Sequence, residues 1–287
     1  MKTAGIIAEY NPFHNGHKYH IEQAKALTGA ERVIAVMSGN FVQRGEPAVY
    51  DKQARTKAAL LNGADIVLEL PVFYSTASAE LFARASVDVL AKTNCVDFLC
   101  FGCESESLTP LVQAAGILSD ESESFKAALK AALDSGKTFP AARACALTKT
   151  CGVDPSLISS PNNILAIEYL KALTALKSSI MPVGIRRMYT EYNSLETSGK
   201  FASATAVRNM IKSNSAETQA FMPYDFSENS PVFADDLSPV LNYALRINTA
   251  ESLSKIYGIN EGLENRIIRS AGESFTFADI ESCVKTK

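Results

Sequence analysis

The sequence predicts an α/β protein whose parallel sheet is covered by helices on both faces. Two observations lead there. Short, continuous apolar runs rich in β-branched residues recur at residues 5–8, 32–37, 66–70 and 97–101, each stopping at turn chemistry. Between them lie longer stretches with helix start and stop signals, so strand and helix alternate. Strands that are apolar on both sides must be buried on both faces, as in a parallel sheet joined by right-handed helical crossovers.

The elements follow in chain order. Residues 5–8 form the first strand, Asn11-Pro12 breaks it, and Gly16 allows a tight backbone before a helix over about 17–27. Residues 32–37 form a second strand, ended by Ser38-Gly39-Asn40. Asp51 has the character of an N-cap for a helix to about Asn62, closed by Gly63. The third strand, 66–70, stops at Pro71; a long Ala-rich helix is expected over 75–90, and a fourth strand over 97–101 ends at Gly102. Residues from about 105 to 158 are helical in pattern, with helices over 122–133 and 141–150, and are read as an insertion before the sheet resumes. A helix starting around Pro161-Asn162-Asn163 and reaching about Leu173 precedes a fifth strand over 181–187. A further helix begins within 201–208, capped by Ser203 or Thr205. A polar, Pro-containing linker is expected over 213–233. Beyond it the pattern is helical, with Leu237, Leu241 and Leu245 on one face. The expectation is a Rossmann-like domain over 1–212 and a helical C-terminal region over 213–287, without a GxGxxG fingerprint.

Composition bounds the function. With 47% hydrophobic and 21% charged residues among 287, this is the make-up of an ordinary soluble globular protein. No targeting segment and no apolar stretch of membrane-spanning length is visible, and six cysteines without secretory context fit reduced thiols, so the expected location is the cytoplasm and no membrane partner is expected. A net charge of −3 excludes a generally basic surface, so any nucleic-acid contact must come from a local patch. None of these patterns reports an oligomeric state.

All three histidines, His14, His17 and His20, lie in the first strand–turn–helix junction. The amides and positive dipole end of a helix at the carboxyl edge of a sheet suit phosphate, which makes a nucleotide the first ligand to expect. Imidazole fits the same task, since it can donate a directed hydrogen bond and carry positive charge where anionic oxygens gather. A protein-held zinc ranks lower, because it needs a further ligand. Cys100-Phe101-Gly102-Cys103 has no second CxxC to complete a metal cage and is read as a pair of buried thiols, while Gly102 allows a base or ribose close to the backbone. Gln43-Arg44-Gly45-Glu46-Pro47 has the chemistry of a lid loop; Asp51, Lys52 and Arg55 follow it at a helix start, with Asp51 as the cap and the other two as candidate substrate contacts.

His14-Asn15-Gly16-His17 resembles the HxGH signature of the nucleotidylyl-transferase superfamily. The longer runs, residues 8–17 and 37–47, together resemble the bacterial tRNA(Met) cytidine acetate ligase family. The stretch 201–208 is similar to the second superfamily signature, in which Ser203, Thr205 and Arg208 would bind the triphosphate opposite the histidines. The resemblance implies that acetate attacks the α-phosphorus of ATP, that pyrophosphate leaves, and that N4 of the wobble cytidine of elongator tRNA(Met) then takes the acetyl group from acetyl-adenylate. His14 and His17 would be the catalytic pair, with Mg²⁺ neutralising the triphosphate. The implied ATP contacts are Ile7, Ala8, Glu9, Tyr10, Asn11, Pro12, Phe13, His14, Asn15, Gly16, His17, Lys18, Tyr19 and His20, with Gly102, Arg187 and either Asn162 or its neighbour Asn163; Asn162 is preferred. Two departures stand out. Tyr189-Thr190-Glu191-Tyr192 replaces a Tyr-His pair common in the family, and residues 283–287 look like the middle of the family's C-terminal helical region, so a truncated or shortened member lacking part of its tRNA-binding surface is expected. Two other readings stay open: a nucleotidyltransferase acting on a small phosphate ester, and a non-catalytic nucleotide- or RNA-binding module.

Overall fold

The strands form at Thr3–Ala8 (β1), Arg32–Ser38 (β2), Ile66–Leu70 (β3), Phe98–Cys103 (β4) and Met181–Arg186 (β5). The computed structural model describes all residues except Arg44, 187–196 and 286–287, and the side chains of Ser159, Thr197 and Ser198. The five strands make one sheet in the order β3-β2-β1-β4-β5, parallel throughout. The chain moves outward from β1 through β2 to β3, then crosses back to β4 and β5. Strand order therefore reverses between β1 and β4, and the crevice at the carboxyl ends of those strands is where an open α/β sheet binds ligands. Arg187, expected as an ATP contact, and the departure expected at 189–192 lie outside the described residues.

The helices that connect these strands are Asn15–Thr28 (α1), Lys52–Leu61 (α2), Val72–Ser75 (α3) and Ala79–Lys92 (α4). Asp51 caps α2, its side chain accepting from Ala54 N. The continuous helix expected over 75–90 is broken in two, because Ser78 accepts from Leu81 N and starts a new helix there. The insertion consists of Thr109–Ser119 (α5), Glu123–Asp134 (α6), Phe139–Cys151 (α7) and Pro155–Ser159 (α8), followed by Pro161–Ala175 (α9). Buried Glu168 on α9 pairs with Arg143 of α7 at 2.6 Å and with Lys171 at 2.8 Å; Lys171 reaches Glu80 of α4 at 3.0 Å. This network fastens α7 and α4 to α9, since removing either cation would leave a buried carboxylate short of a partner.

Two short antiparallel strands, Thr197–Ser198 (β6) and Phe201–Ala202 (β7), precede Ala204–Lys212 (α10). Residues 201–202 are thus extended, not the first turn of a helix, and Ser203 is the cap, accepting from Ala206 N. The chain divides into two compact units, Met1–Ser230 and Pro231–Lys287. Within the stretch expected as a polar linker, Phe221, Met222 and Phe226 are buried and the Phe226 ring stacks on Tyr50 at 4.4 Å. The second unit contains Ser238–Ile247 (α11), Ala250–Leu253 (α12), Leu263–Glu273 (α13) and Phe277–Val284 (α14). Phe277 N donates to Ser238 Oγ and Arg266 donates to Val284 O, closing the unit on itself. Among the described residues no helix is long and apolar enough to cross a membrane.

Cys100 and Cys103 are buried in and beside the core of β4, as expected for incidental thiols. Burial pushes the Cys100 thiol up to about 12 and raises Cys103 as well. A raised pKa removes thiolate, the reactive form. At pH 8 about one part in ten thousand of Cys100 is ionised, against about a quarter of an ordinary exposed thiol. Titration of the native protein with a disulfide reagent is expected to modify exposed Cys95 and Cys283 rapidly, and Cys100 only on unfolding.

Candidate active site

The turn after β1 is built by unusual backbone. Tyr10 adopts φ 48°, a left-handed conformation that costs a bulky residue about 1–3 kcal/mol, and the Asn11–Pro12 peptide is cis. Tyr10 and Phe13 are fully buried, and the Tyr10 ring meets Phe13 and His17 edge-on, both at 4.9 Å. Burial pushes the Tyr10 phenol well above its ordinary pKa, so it stays protonated. Four contacts then fix the turn. Val49 N donates to Asn11 Oδ1 at 2.8 Å, Gln43 N donates to a Glu9 carboxylate oxygen at 3.0 Å, Arg55 donates to Glu9 O at 2.6 Å, and Arg208 donates to Asn11 O at 2.9 Å.

Helix α1 begins two residues earlier than expected, because a histidine does the work of a cap. Gly16 N donates to His14 Nδ1 at 3.0 Å, and His14 N donates to His17 Nδ1 at 3.2 Å, a capping box made by two imidazoles. An Nδ1 that accepts carries no proton, so each neutral ring holds its proton on Nε2 and presents a donor there. The rings stack at 3.8 Å. Gly16 is required by this packing: a Cβ there would lie 2.8 Å from His14 Cε1. Gly16→Ala is expected to push the His14 ring aside and lower turnover about 10²-fold. Steady-state assay beside a thermal melt would separate this from unfolding.

A cavity of about 230 Å³ opens over the ends of β1 and β4. Of the sequence-predicted residues, Ile7, Ala8, Glu9, Tyr10, Asn11, His14, Gly16, His17, Tyr19, His20, Gly102, Asn162, Thr205 and Arg208 line it. The two signatures, distant in the chain, meet here: Arg208 bonds both Thr205 Oγ1 (3.1 Å) and the carbonyl of Asn11, 197 residues away. It is not a solvated surface charge. Val42 lines the cavity as well, with Gln43 and Glu46 of the expected lid loop.

Five expected contacts lie off the lining. The Asn15 amide is spent on Lys200 O and Ala220 O, Ser203 caps α10, Phe13 and Pro12 are buried in the turn, and Lys18 is exposed on α1. Arg187 lies outside the described residues; its neighbour Arg186 lines the cavity and pairs with Glu106 at 3.0 Å. Asn162 and Asn163 have separate jobs. Asn162 lines the cavity and donates to Glu104 at 2.7 Å, whereas buried Asn163 accepts from Glu104 N and donates to Leu157 O. Arg55, expected near substrate, is wholly buried instead. Sequence reading missed the apolar wall of Phe82, Leu165, Tyr169 and Ile185. The available signal was spacing, since 162, 165 and 169 recur on one face of α9.

The arrangement joins two helix starts, two imidazole donors and a tethered arginine to an apolar wall, which suits a polyphosphate attached to an aromatic base. A family model described as HIGH nucleotidyl transferase matches residues 1–287. The tRNA(Met) cytidine acetate ligase of Acetivibrio thermocellus is 43% identical over all of this chain and 73% of its own length; that of Clostridium kluyveri is 43% identical over all of this chain and 75% of its own. The crystal structure of apo Thermotoga maritima TmcAL is 37% identical with a TM-score of 0.93, covering all of this chain and 72% of that one. A second TmcAL structure, bound with alpha-thio ATP, is also 37% identical, with a TM-score of 0.90 over all of this chain and 71% of that one. With its fold, its paired signatures and its full length all matched, the chain belongs to the tRNA(Met) cytidine acetate ligase family of HIGH nucleotidyl transferases.

Proposed function

We propose that the protein ligates acetate to N4 of the wobble cytidine of elongator tRNA(Met), in the cytoplasm, at the expense of ATP. The observation that carries this is the imidazole capping box on the same cavity as Arg208, in a chain 43% identical to ligases of that name. An acetate oxygen attacks the α-phosphorus and the bond to pyrophosphate breaks. His14 and His17 stabilise the charge that builds on the departing phosphates through Nε2–H, and Arg208 holds the polyanion from the α10 side. In the second half, N4 attacks the acetyl carbonyl, loses its proton, and AMP leaves. Neither half requires a protein nucleophile, since the mixed anhydride is already activated and positioning carries the rest.

Mg²⁺ is proposed to arrive with ATP and neutralise its triphosphate. Glu9 and Glu46 line the cavity, and one or two carboxylates with substrate phosphates and water suffice for that ion. No cluster of three or more His, Cys, Asp or Glu able to hold a metal occurs among the described residues. Gly102, Asn162, Arg186 and the apolar wall would face the nucleoside, and the adenylation chemistry would lie within residues 1–212.

Pyrophosphate exchange into ATP tests the reading. Exchange is expected with acetate present and without tRNA, and acetylated cytidine only once tRNA is added. Exchange that requires a phosphate ester instead of acetate would make the protein a nucleotidyltransferase of a different acceptor.

A further inference from the structure

The cavity rim over β2 and β3 carries an aromatic surface that the adenylation chemistry does not use. Phe41, Val72, Phe73 and Tyr74 are 37%, 57%, 51% and 38% exposed. Phe73 and Tyr74 meet edge-on at 5.2 Å. Ser75 Oγ donates to Phe41 O at 2.9 Å, which ties α3 to the lid loop, and Phe41 also bridges to Pro47 across the loop. The next residues, Val42 and Gln43, line the cavity. The aromatic surface and the reaction site are therefore two sides of one rim.

Topology indicates what reaches this surface. The histidines follow β1, Gly102 lies in β4, and Asn162 starts the helix leading to β5, so the proposed nucleotide contacts occupy the β1-β4-β5 half of the carboxyl edge. A second substrate must approach over β2 and β3, past the lid and α3. For a wobble base to enter the cleft it must leave the anticodon stack, and that exposes the faces of its neighbours. Exposed bases stack on aromatic rings with little regard to sequence. A chain of net charge −3 confines phosphate neutralisation to local patches. Resting on the function proposed above, we propose that Phe41, Phe73 and Tyr74 form a stacking platform for the unpaired anticodon-loop bases flanking the wobble cytidine.

Phe73→Leu/Tyr74→Leu keeps apolar bulk and removes the flat faces; Phe73→Ala/Tyr74→Ala removes both. Each double variant is expected to raise KM for tRNA at least tenfold in acetyl transfer, with acetate-dependent pyrophosphate exchange within twofold of wild type and Tyr74→Phe close to wild type. An unchanged KM for tRNA overturns the platform. So does a parallel fall in exchange, which would assign these residues to the adenylation site, or a dimer that dissociates in the variants while KM for tRNA holds, which would make the surface an interface between copies. If wild type shows no acetate-dependent exchange, the proposed function fails instead. Binding of an anticodon stem–loop RNA to wild type and to the Leu/Leu variant, read by fluorescence anisotropy, then tests the platform alone: a tenfold weaker variant supports it and equal binding overturns it.

Discussion

His14→Asn is expected to lower acetate-dependent pyrophosphate exchange by about 10²–10³-fold, the cost of removing one preorganised donor from a site of developing charge, while the melting temperature stays within about 2 °C of wild type. The two halves of this expectation come from two nitrogens of one ring. Nδ1 accepts from Gly16 N and caps α1; Nε2 carries the proton. Asparagine is among the best N-cap residues and can accept the same bond, yet it offers no imidazole donor. His14→Ala loses both functions and is expected to cost about 1 kcal/mol of stability in addition. His17→Ala should lower exchange comparably. The double variant should fall short of the product of the two, because both rings serve one charge. If His14→Asn retained exchange within threefold, the imidazole would be a cap and nothing more.

The sheet and its first turn were legible because their signals are local. Continuous β-branched runs, Asn-Pro and a glycine before a helix each act over a few residues, and His14-Asn15-Gly16-His17 sits where they converge. What was not legible depended on phase or on distance. Histidine is not an ordinary cap, so the start signals pointed to His17. Helix α9 buries Asn163, Ala166, Ile167 and Leu170 together with Tyr169 and Leu173, apolar on nearly every face, so periodicity alone could not decide whether Asn162 or Asn163 met the cavity. The polar composition after residue 213 hid Phe226, whose partner Tyr50 lies far away in the chain. Arg208 was expected at the triphosphate, but its acceptor, the carbonyl of Asn11, lies too far away in the chain for any local signal to report. Arg55 was the most misleading, since an arginine near a helix start is ordinarily exposed.

Arg55→Met is expected to destabilise the first unit by about 3–4 kcal/mol, a shift on the order of 10 °C in melting temperature. The fully buried guanidinium donates to four backbone carbonyls: Tyr50 O at 2.9 Å, Glu9 O at 2.6 Å, Ser38 O at 3.2 Å, and Gly39 O. Those oxygens belong to the end of β1, the end of β2 and the stem of the lid, so one side chain sets the spacing of three walls of the cavity rim. Burial pushes the Arg55 pKa down to about 10, with Glu9, Asp51 and Glu69 holding it up, and it remains charged at neutral pH. Methionine fills similar volume but leaves the carbonyls without donors in a site closed to water, which is the costly case. Lysine keeps the charge and loses the planar fork, so Arg55→Lys should fall between wild type and methionine. Displacement of the rim should also slow exchange about 10²-fold at a temperature where Arg55→Met is still folded. Differential scanning calorimetry with a parallel exchange assay checks both parts. A methionine variant that melts within 2 °C of wild type would show that the three walls hold their spacing without the guanidinium, and the geometry around His14 would then have to be set by Arg208 and the lid alone.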